Sequence, residues 1–180
     1  MSQARVDMNS GPGQREILAG LCKTAGLGGS YFSGMSYGQK ASSTFTVSSW
    51  SEEVYADIDG EGTTAGETYY PRRGLSRAAV GYTYSGDIEG TSTLVYLMGY
   101  RDGDDLVIGL ERFEGSIGGQ EGSCVLRHEA VHDSTAVRGT VSVVPGMGTG
   151  GLERLSGEAD LEIAGHSETG YPLVLSYDLG

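Results

Sequence analysis

Apolar and polar residues alternate through residues 106–144, in three segments separated by turn residues. This two-residue period is typical of strands that bury one face, and the breaks between the segments predict a β-meander. We place the first turn at Gly119-Gln120 and the second at Asp133-Ser134. With these turns, one register satisfies both hairpins and gives the three strands a common apolar face.

The predicted register brings two ionisable side chains together on that apolar face. Glu111 lies opposite His128, and Phe113 lies opposite Leu126. A carboxylate beside an imidazole can act as acid, base or electrostatic stabiliser on a polar group of a substrate. We therefore predict Glu111 and His128 as the catalytic pair, although a buried structural ion pair explains the same pattern equally well.

The same segment contains His128-Glu129-Ala130-Val131-His132, which matches the H-E-x-x-H sequence of zinc metalloproteases. That motif binds zinc from a helix, where residues four apart share one face. On a strand, four residues span about 13 Å, which is too far for two imidazoles to share one ion. The flanking residues favour a strand. A zinc metallohydrolase is therefore the least favoured function, and we expect no bound metal.

Charge and composition exclude several classes of partner. The chain has 180 residues, a formal net charge of -12 and a pI near 4.5, which argues against nucleic acid and anionic membranes as partners. Its 31 glycines and only 4 prolines predict many tight turns. With only Cys22 and Cys124 and no signal peptide or membrane span, we expect a reduced, cytoplasmic protein.

Residues 1–40 differ in composition from the rest of the chain. Ile17, Leu18 and Leu21 have the spacing of a short amphipathic helix, and a run rich in Gly, Ser and Tyr follows them. We predict an N-terminal arm here. The sequence leaves open whether this arm is a disordered tail, a lid or an oligomer contact, and with the last of these a homodimer.

Alternating segments outside the meander predict five more strands, at residues 41–50, 77–85, 91–100, 157–165 and 171–179. An antiparallel sheet of eight strands removes its exposed edges most simply by closing into a barrel. We therefore predict an all-β protein with a closed eight-stranded antiparallel barrel over residues 41–180. Residues 51–76 interrupt the alternation and are predicted as a long loop.

The turn at Asp102-Gly103 fixes how the strand before the meander pairs with it. Centring the hairpin there places Leu94 opposite Glu111, on the same interior face. Barrels of this size can hold one small ligand inside. The side chains predicted to bind a mostly apolar substrate in the interior are Leu94, Tyr96, Met98, Phe113, Leu126 and Val141.

Several segments also resemble one protein family, in the same order along the chain. They are GDIEG at 86–90, YLMGYR at 96–101, GLERFEGSIGGQEGSCVLRH at 109–128, VVPGMGTGGLERLSG at 143–157 and the YPLVLSYDL ending. Together they resemble a bacterial domain-of-unknown-function family with the allene-oxide-cyclase-like, calycin-like barrel. The resemblance implies a relationship to plant allene oxide cyclases and to bacterial cyclases that fold polyketides into spiro or decalin rings. Those enzymes work without cofactor or metal.

Residues and resemblance together predict a cofactor-independent cyclase or isomerase in natural-product biosynthesis. It would fold a mostly apolar, polyketide-like molecule inside the barrel, where confinement can remove about 7 to 11 kcal/mol of barrier. The alternative is a barrel that binds a lipophilic small molecule without catalysis. Both functions remain open at this point.

Overall fold

The computed structural model describes residues 36–180. This part of the chain forms strands without any helix, so it contains no helix that could cross a membrane. Most of the predicted arm, including its predicted short helix, lies outside the described residues. The strands are β1 (Gln39–Asp57), β2 (Gly62–Ala65), β3 (Thr68–Pro71), β4 (Gly74–Gly86), β5 (Ile88–Tyr100), β6 (Asp105–Ile117), β7 (Gln120–His132), β8 (Ala136–Val143), β9 (Thr149–Gly150), β10 (Ser156–Ala164) and β11 (Tyr171–Asp178).

Eight of these strands close into an antiparallel barrel, which confirms the predicted fold class. Neighbours around the wall follow chain order, from β1 through β4, β5, β6, β7, β8 and β10 to β11, and β11 pairs with β1. Successive strands therefore run in opposite directions between two ends. We call the end at Gln39 and Ile117 the base, and the end at Tyr100 and His132 the mouth.

The two ends of the barrel are enclosed to different degrees. At the base, the segment after β8 packs across the core, with Leu152 completely buried and Leu155 nearly so. The backbone N–H of Gly151 donates a hydrogen bond to the carbonyl of Glu121, which holds this segment against β7. Several inward-facing apolar side chains toward the mouth are only partly buried, and they are Trp50, Met98, Val137, Ile163 and Tyr171. The mouth is therefore the less enclosed end.

The register between β5 and β6 agrees with the prediction, whereas the register between β6 and β7 does not. Leu94 lies opposite Glu111 as predicted, but Glu111 lies opposite Leu126 rather than His128. The turn falls on Gly118-Gly119, where both φ angles are positive, at 57° and 81°. A two-residue hairpin turn of type I′ needs positive φ at both positions, and glycine adopts it without strain.

The second hairpin of the meander is also shifted by two residues from its predicted register. His132 pairs with Val137, and the intervening loop is stabilised by Asp133. The Asp133 carboxylate accepts hydrogen bonds from the side chain and backbone of Thr135 and from the backbone of Ala136, and these bonds lower its pKa to about 2. Because a shift of two residues preserves the side-chain alternation, every strand of the meander still presents the predicted face to the interior.

The prediction of a long loop over residues 51–76 is wrong. Strand β1 continues to Asp57, and the hairpin of β2 and β3 fills much of the remainder. Two register shifts in β1 interrupt its regular pairing with β4. Beyond Trp50 exposure still alternates, but the polar Glu52 lies on the less exposed side and Tyr55 is 56% exposed, so the apolar–polar pattern fails although the strand continues.

Candidate functional site

Glu111 and His128 meet in the barrel interior, midway along β6 and β7. Glu111 has no exposed surface, and His128 exposes only 2%. Nε2 of His128 lies 2.6 Å from Oε2 of Glu111, a distance typical of a charge-assisted hydrogen bond. Gly109 is the residue directly opposite His128, so the contact with Glu111 is diagonal across the strands. The predicted proximity of the two side chains is confirmed, although the predicted direct pairing is wrong.

Three tyrosines extend this pair into a continuous chain of buried hydrogen bonds. The Tyr84 hydroxyl donates to Oε1 of Glu111 at 2.8 Å. On the other side, the Tyr96 hydroxyl lies 3.1 Å from Nδ1 of His128 and 3.2 Å from the hydroxyl of Tyr82. Every side-chain nitrogen and oxygen of the pair therefore has a partner, as buried polar groups require. We call these five residues the interior network.

Burial keeps the tyrosines of the interior network protonated. It is the main cause that raises the pKa of Tyr84 and Tyr96 well above the usual value for a phenol, and it also raises the pKa of Tyr82. The negative charge of Glu111 raises the pKa of Tyr84 further. The neutral phenols can therefore donate hydrogen bonds, as Tyr84 does to Glu111.

A glycine in the barrel wall makes room for the bond between Tyr96 and His128. Gly109 lies between these residues in one cross-strand row. A Cβ atom at this position would lie 2.6 Å from Cδ1 of Tyr96, which shows that the tyrosine ring lies directly over the glycine. The ring then meets the imidazole edge-on, with 5.6 Å between the ring centroids.

Replacing Gly109 with alanine is expected to lower the free energy of unfolding by about 1 to 3 kcal/mol, the usual cost of overpacking a core. The added methyl group should displace the Tyr96 ring and break its hydrogen bond to His128. Denaturant unfolding and a crystal structure of the variant measure these two effects. Gly99→Ala is the matched control, because a Cβ at Gly99 lies 3.6 Å from its nearest neighbour, Leu106. Equal losses of stability in the two variants would contradict this account of Gly109.

The side chains predicted to bind substrate all face the interior. Leu94, Tyr96, Phe113, Leu126 and Val141 are buried, and Met98 is partly buried nearer the mouth. Tyr96 contacts His128 directly, whereas Phe113 packs edge-on against Tyr84 with 5.6 Å between the ring centroids. The role of these side chains in binding remains a prediction.

Small residues occupy several interior positions beside the pair and toward the mouth. One cross-strand row runs through His128 and another runs through Ala130, which is one step nearer the mouth. The small members of the two rows are Ala78, Gly109 and Ala159 in the first and Ser76, Ala130 and Gly139 in the second. These positions are packed: the Tyr96 ring lies over Gly109, and a Cβ at Gly139 would lie 2.6 Å from Cβ of Ala130.

The H-E-x-x-H sequence lies on strand β7, as its flanking residues predict. His132 is four residues nearer the mouth than His128, and its Nδ1 lies 3.4 Å from Oδ2 of Asp105. The hydrogen bond with Asp105 raises the pKa of His132. Within residues 36–180, no cluster of three or more His, Cys, Asp or Glu side chains could hold a metal ion.

The sequence reasoning did not identify Tyr82 and Tyr84 as members of the site. Both lie on β4, on the face that also carries the buried residues Ala78 and Val80. The alternation of side chains along β4 places the two tyrosines on an apolar face, and this pattern could have identified them as interior residues. Their contacts with the pair depend on strand registers that we did not predict.

A second polar cluster lies nearer the mouth and was also missed. Oε1 of Glu52 accepts hydrogen bonds from Ser76 at 2.7 Å and from Tyr100 at 2.6 Å. Ser76 is completely buried, and burial raises the pKa of Tyr100 above its usual value. Because Glu52 lies in the segment predicted as a loop, it was not considered as an interior residue. The cluster adds a carboxylate at the less enclosed end of the barrel.

An external cleft lies between β10 and β11, the neighbouring barrel strands that share the fewest paired residues. Strands β10 and β11 pair only from Ser156 to Glu158 on the β10 side and separate toward the mouth. A cleft of about 670 Å³ covers the separation, and its lining includes Glu158, Asp160 and Glu162. None of the residues of the interior network lines this cleft. It is therefore distinct from the candidate site.

Comparison with known proteins places this barrel in a family. Residues 41–175 match the family described as "Protein of unknown function (DUF3224)". The match covers most of the chain, and the protein therefore belongs to this family. No curated protein matches the chain.

A solved structure from the same family has a similar fold. It is a protein of unknown function from Shewanella oneidensis MR-1, 24% identical in sequence, with a TM-score of 0.61. The similarity covers 78% of this chain and 96% of that chain. At this level of identity the similarity supports the fold, while function must be argued from the site itself.

Proposed function

We propose that the protein is a cofactor-independent cyclase or isomerase that acts on a mostly apolar, polyketide-like small molecule inside the barrel. The observation that carries this proposal is the pair of Glu111 and His128, buried in an otherwise largely apolar interior and hydrogen bonded at 2.6 Å. Buried acid–base pairs of this kind are frequent at catalytic sites. We place the reaction in the cytoplasm, within natural-product biosynthesis.

The proposed chemistry is a proton relocation that leaves the mass of the substrate unchanged. The pair removes a proton from one position on the substrate and returns a proton at another, while the bonding electrons rearrange between them. Each step of general acid–base catalysis of this kind contributes about 10²- to 10⁴-fold in rate. A tyrosine hydroxyl such as that of Tyr96 can stabilise negative charge that develops on a substrate oxygen.

The sequence resemblance to allene-oxide-cyclase-like barrels supports this reaction class. The enzymes of that group, as the resemblance implies, fold flexible substrates in a barrel interior and need no cofactor. Confinement by apolar side chains such as Leu94 and Leu126 would order the substrate, and the buried pair would act on its polar group.

A barrel that binds a lipophilic molecule without converting it is the second candidate. The observation that favours it is that both side chains of the pair are already fully hydrogen bonded to protein groups, Tyr84 and Tyr96 among them. A network of this kind can serve only to stabilise the fold and to shape a binding cavity. The two candidates differ in whether the bound molecule is changed.

Incubation of the purified protein with a panel of linear polyene and epoxide precursors should distinguish the two candidates. We expect one precursor to be converted to an isomer of unchanged mass, detected by chromatography and mass spectrometry. A heat-denatured sample is the control for spontaneous rearrangement. Binding without conversion across the panel would favour the binding barrel, and a product of different mass would contradict the proposed reaction class.

A further inference from the structure

The outer face of the barrel carries an apolar patch that the fold of a single chain does not require. Its members are large aliphatic side chains on β4, β5, β6 and β7, each between 36% and 57% exposed, and they are Leu75, Val95, Leu97, Leu106, Ile108, Leu110 and Val131. Cross-strand pairing makes the patch continuous, since Val95 lies opposite Leu110 and Leu97 lies opposite Ile108. We call this surface the β5–β6 patch.

The β5–β6 patch has the size of the apolar centre of a protein interface. Its partly exposed side chains present roughly 300 to 500 Å² of apolar surface, and patches of this size on soluble proteins are often binding sites. A stable homodimer buries about 800 Å² on each subunit, of which about two-thirds is apolar. The patch therefore supplies most of the apolar area that a dimer needs, and its polar surroundings can supply the remainder.

The charges around the β5–β6 patch indicate what kind of partner it suits. Arg127 lies opposite Leu110, and its guanidinium is 3.0 Å from the carboxylate of Glu129. At the base side, Arg112 lies 2.7 Å from Glu114. Arg77 lies opposite Leu97 on one side and opposite Glu53 on the other, so three arginines around the patch are matched by three glutamates, although the whole chain carries a net charge of -12. A nucleic acid or an anionic membrane needs a cationic surface, which these balanced pairs do not provide.

From these observations we propose that the β5–β6 patch binds a second copy of this chain and forms a two-fold symmetric dimer. In such an interface, the same patch is buried on both subunits, and the ion pairs at its edge can face their symmetry mates with opposite charges aligned. Elsewhere the net negative charge of the chain opposes association of two copies. At the patch, local charge balance removes most of that opposition.

Sedimentation equilibrium on the 180-residue protein tests this proposal. The wild-type protein should have twice the mass of the 18.8 kDa chain. Ile108→Glu and Leu97→Glu each place a charge in the centre of the patch and should give the mass of one chain at the same concentration. Both side chains are 52% exposed in the protomer, so the variants should keep the β-sheet circular dichroism of the wild type.

Val174→Glu is the matched control, because Val174 is 45% exposed on β11, outside the patch. It should retain the dimer mass. A wild-type protein with the mass of one chain would overturn the proposal, and so would a dimer that persists in both patch variants. The latter result would assign the contact to another surface, such as the N-terminal arm.

Discussion

Replacing Glu111 with leucine is expected to lower the free energy of unfolding by about 3 to 5 kcal/mol, the usual effect of removing one member of a buried polar pair. Leucine is close to glutamate in size, so little of this loss comes from a cavity. The loss arises because His128 and Tyr84 would keep their buried polar atoms without the carboxylate that both of them contact. Denaturant unfolding of the variant beside the wild type measures it.

Two further variants show whether the loss belongs to the pair. Glu114→Leu removes an exposed carboxylate from the same strand, where it contacts Arg112, and should cost less than about 1 kcal/mol. The double variant Glu111→Leu, His128→Leu removes both partners and should recover much of the lost stability. If Glu111→Leu and Glu114→Leu prove equally stable, the buried pair does not contribute to the fold as described.

The barrel and the inward direction of both catalytic candidates could be predicted from the sequence. Alternation alone fixes which residues share a face, because facing repeats every two residues along a strand. The Asp102-Gly103 turn also fixed one register correctly, since a lone glycine within a short polar turn leaves few alternatives. These two signals were sufficient to bring Glu111 and His128 into the same interior.

The register and the side-chain packing within the site could not be predicted from alternation. Gly118 and Gly119 form a glycine run in which more than one turn position fits the alternation; the observed and predicted turns differ by one residue, which shifts the strand register by two. Both choices keep Glu111 and His128 on the interior face, but only the observed one places Gly109 opposite His128. The position of the Tyr96 ring over that glycine follows from packing, which sequence alternation does not encode.

The segment after Trp50 shows a different limit of sequence reasoning. Side chains there alternate in exposure, but the less exposed side carries the polar Glu52 and the exposed side carries Tyr55, so apolar and polar residues do not alternate in the sequence. The interior position of Glu52 became apparent only from its hydrogen bonds to Ser76 and Tyr100. A polar residue on the inner face and an exposed aromatic residue near it therefore concealed the second polar cluster, whereas apolar neighbours revealed the first.

The second prediction with a large effect concerns catalysis. Glu111→Gln should lower turnover of the substrate found in the precursor panel by about 10²- to 10⁴-fold, the range typical of a lost general acid or base. Glutamine keeps the shape of the side chain and can still accept a hydrogen bond from Tyr84, so the variant should remain folded at room temperature. It lacks the charge and basicity that proton transfer needs.

The most direct test of the central claim is turnover and thermal unfolding measured on the same preparation of Glu111→Gln. Glu114→Gln, on the same strand but exposed to solvent, serves as the control and should match the wild type in both measurements. Our account predicts a folded Glu111→Gln protein that has lost most of its turnover. A folded variant with wild-type turnover would contradict it and would leave Glu111 and His128 as a structural pair.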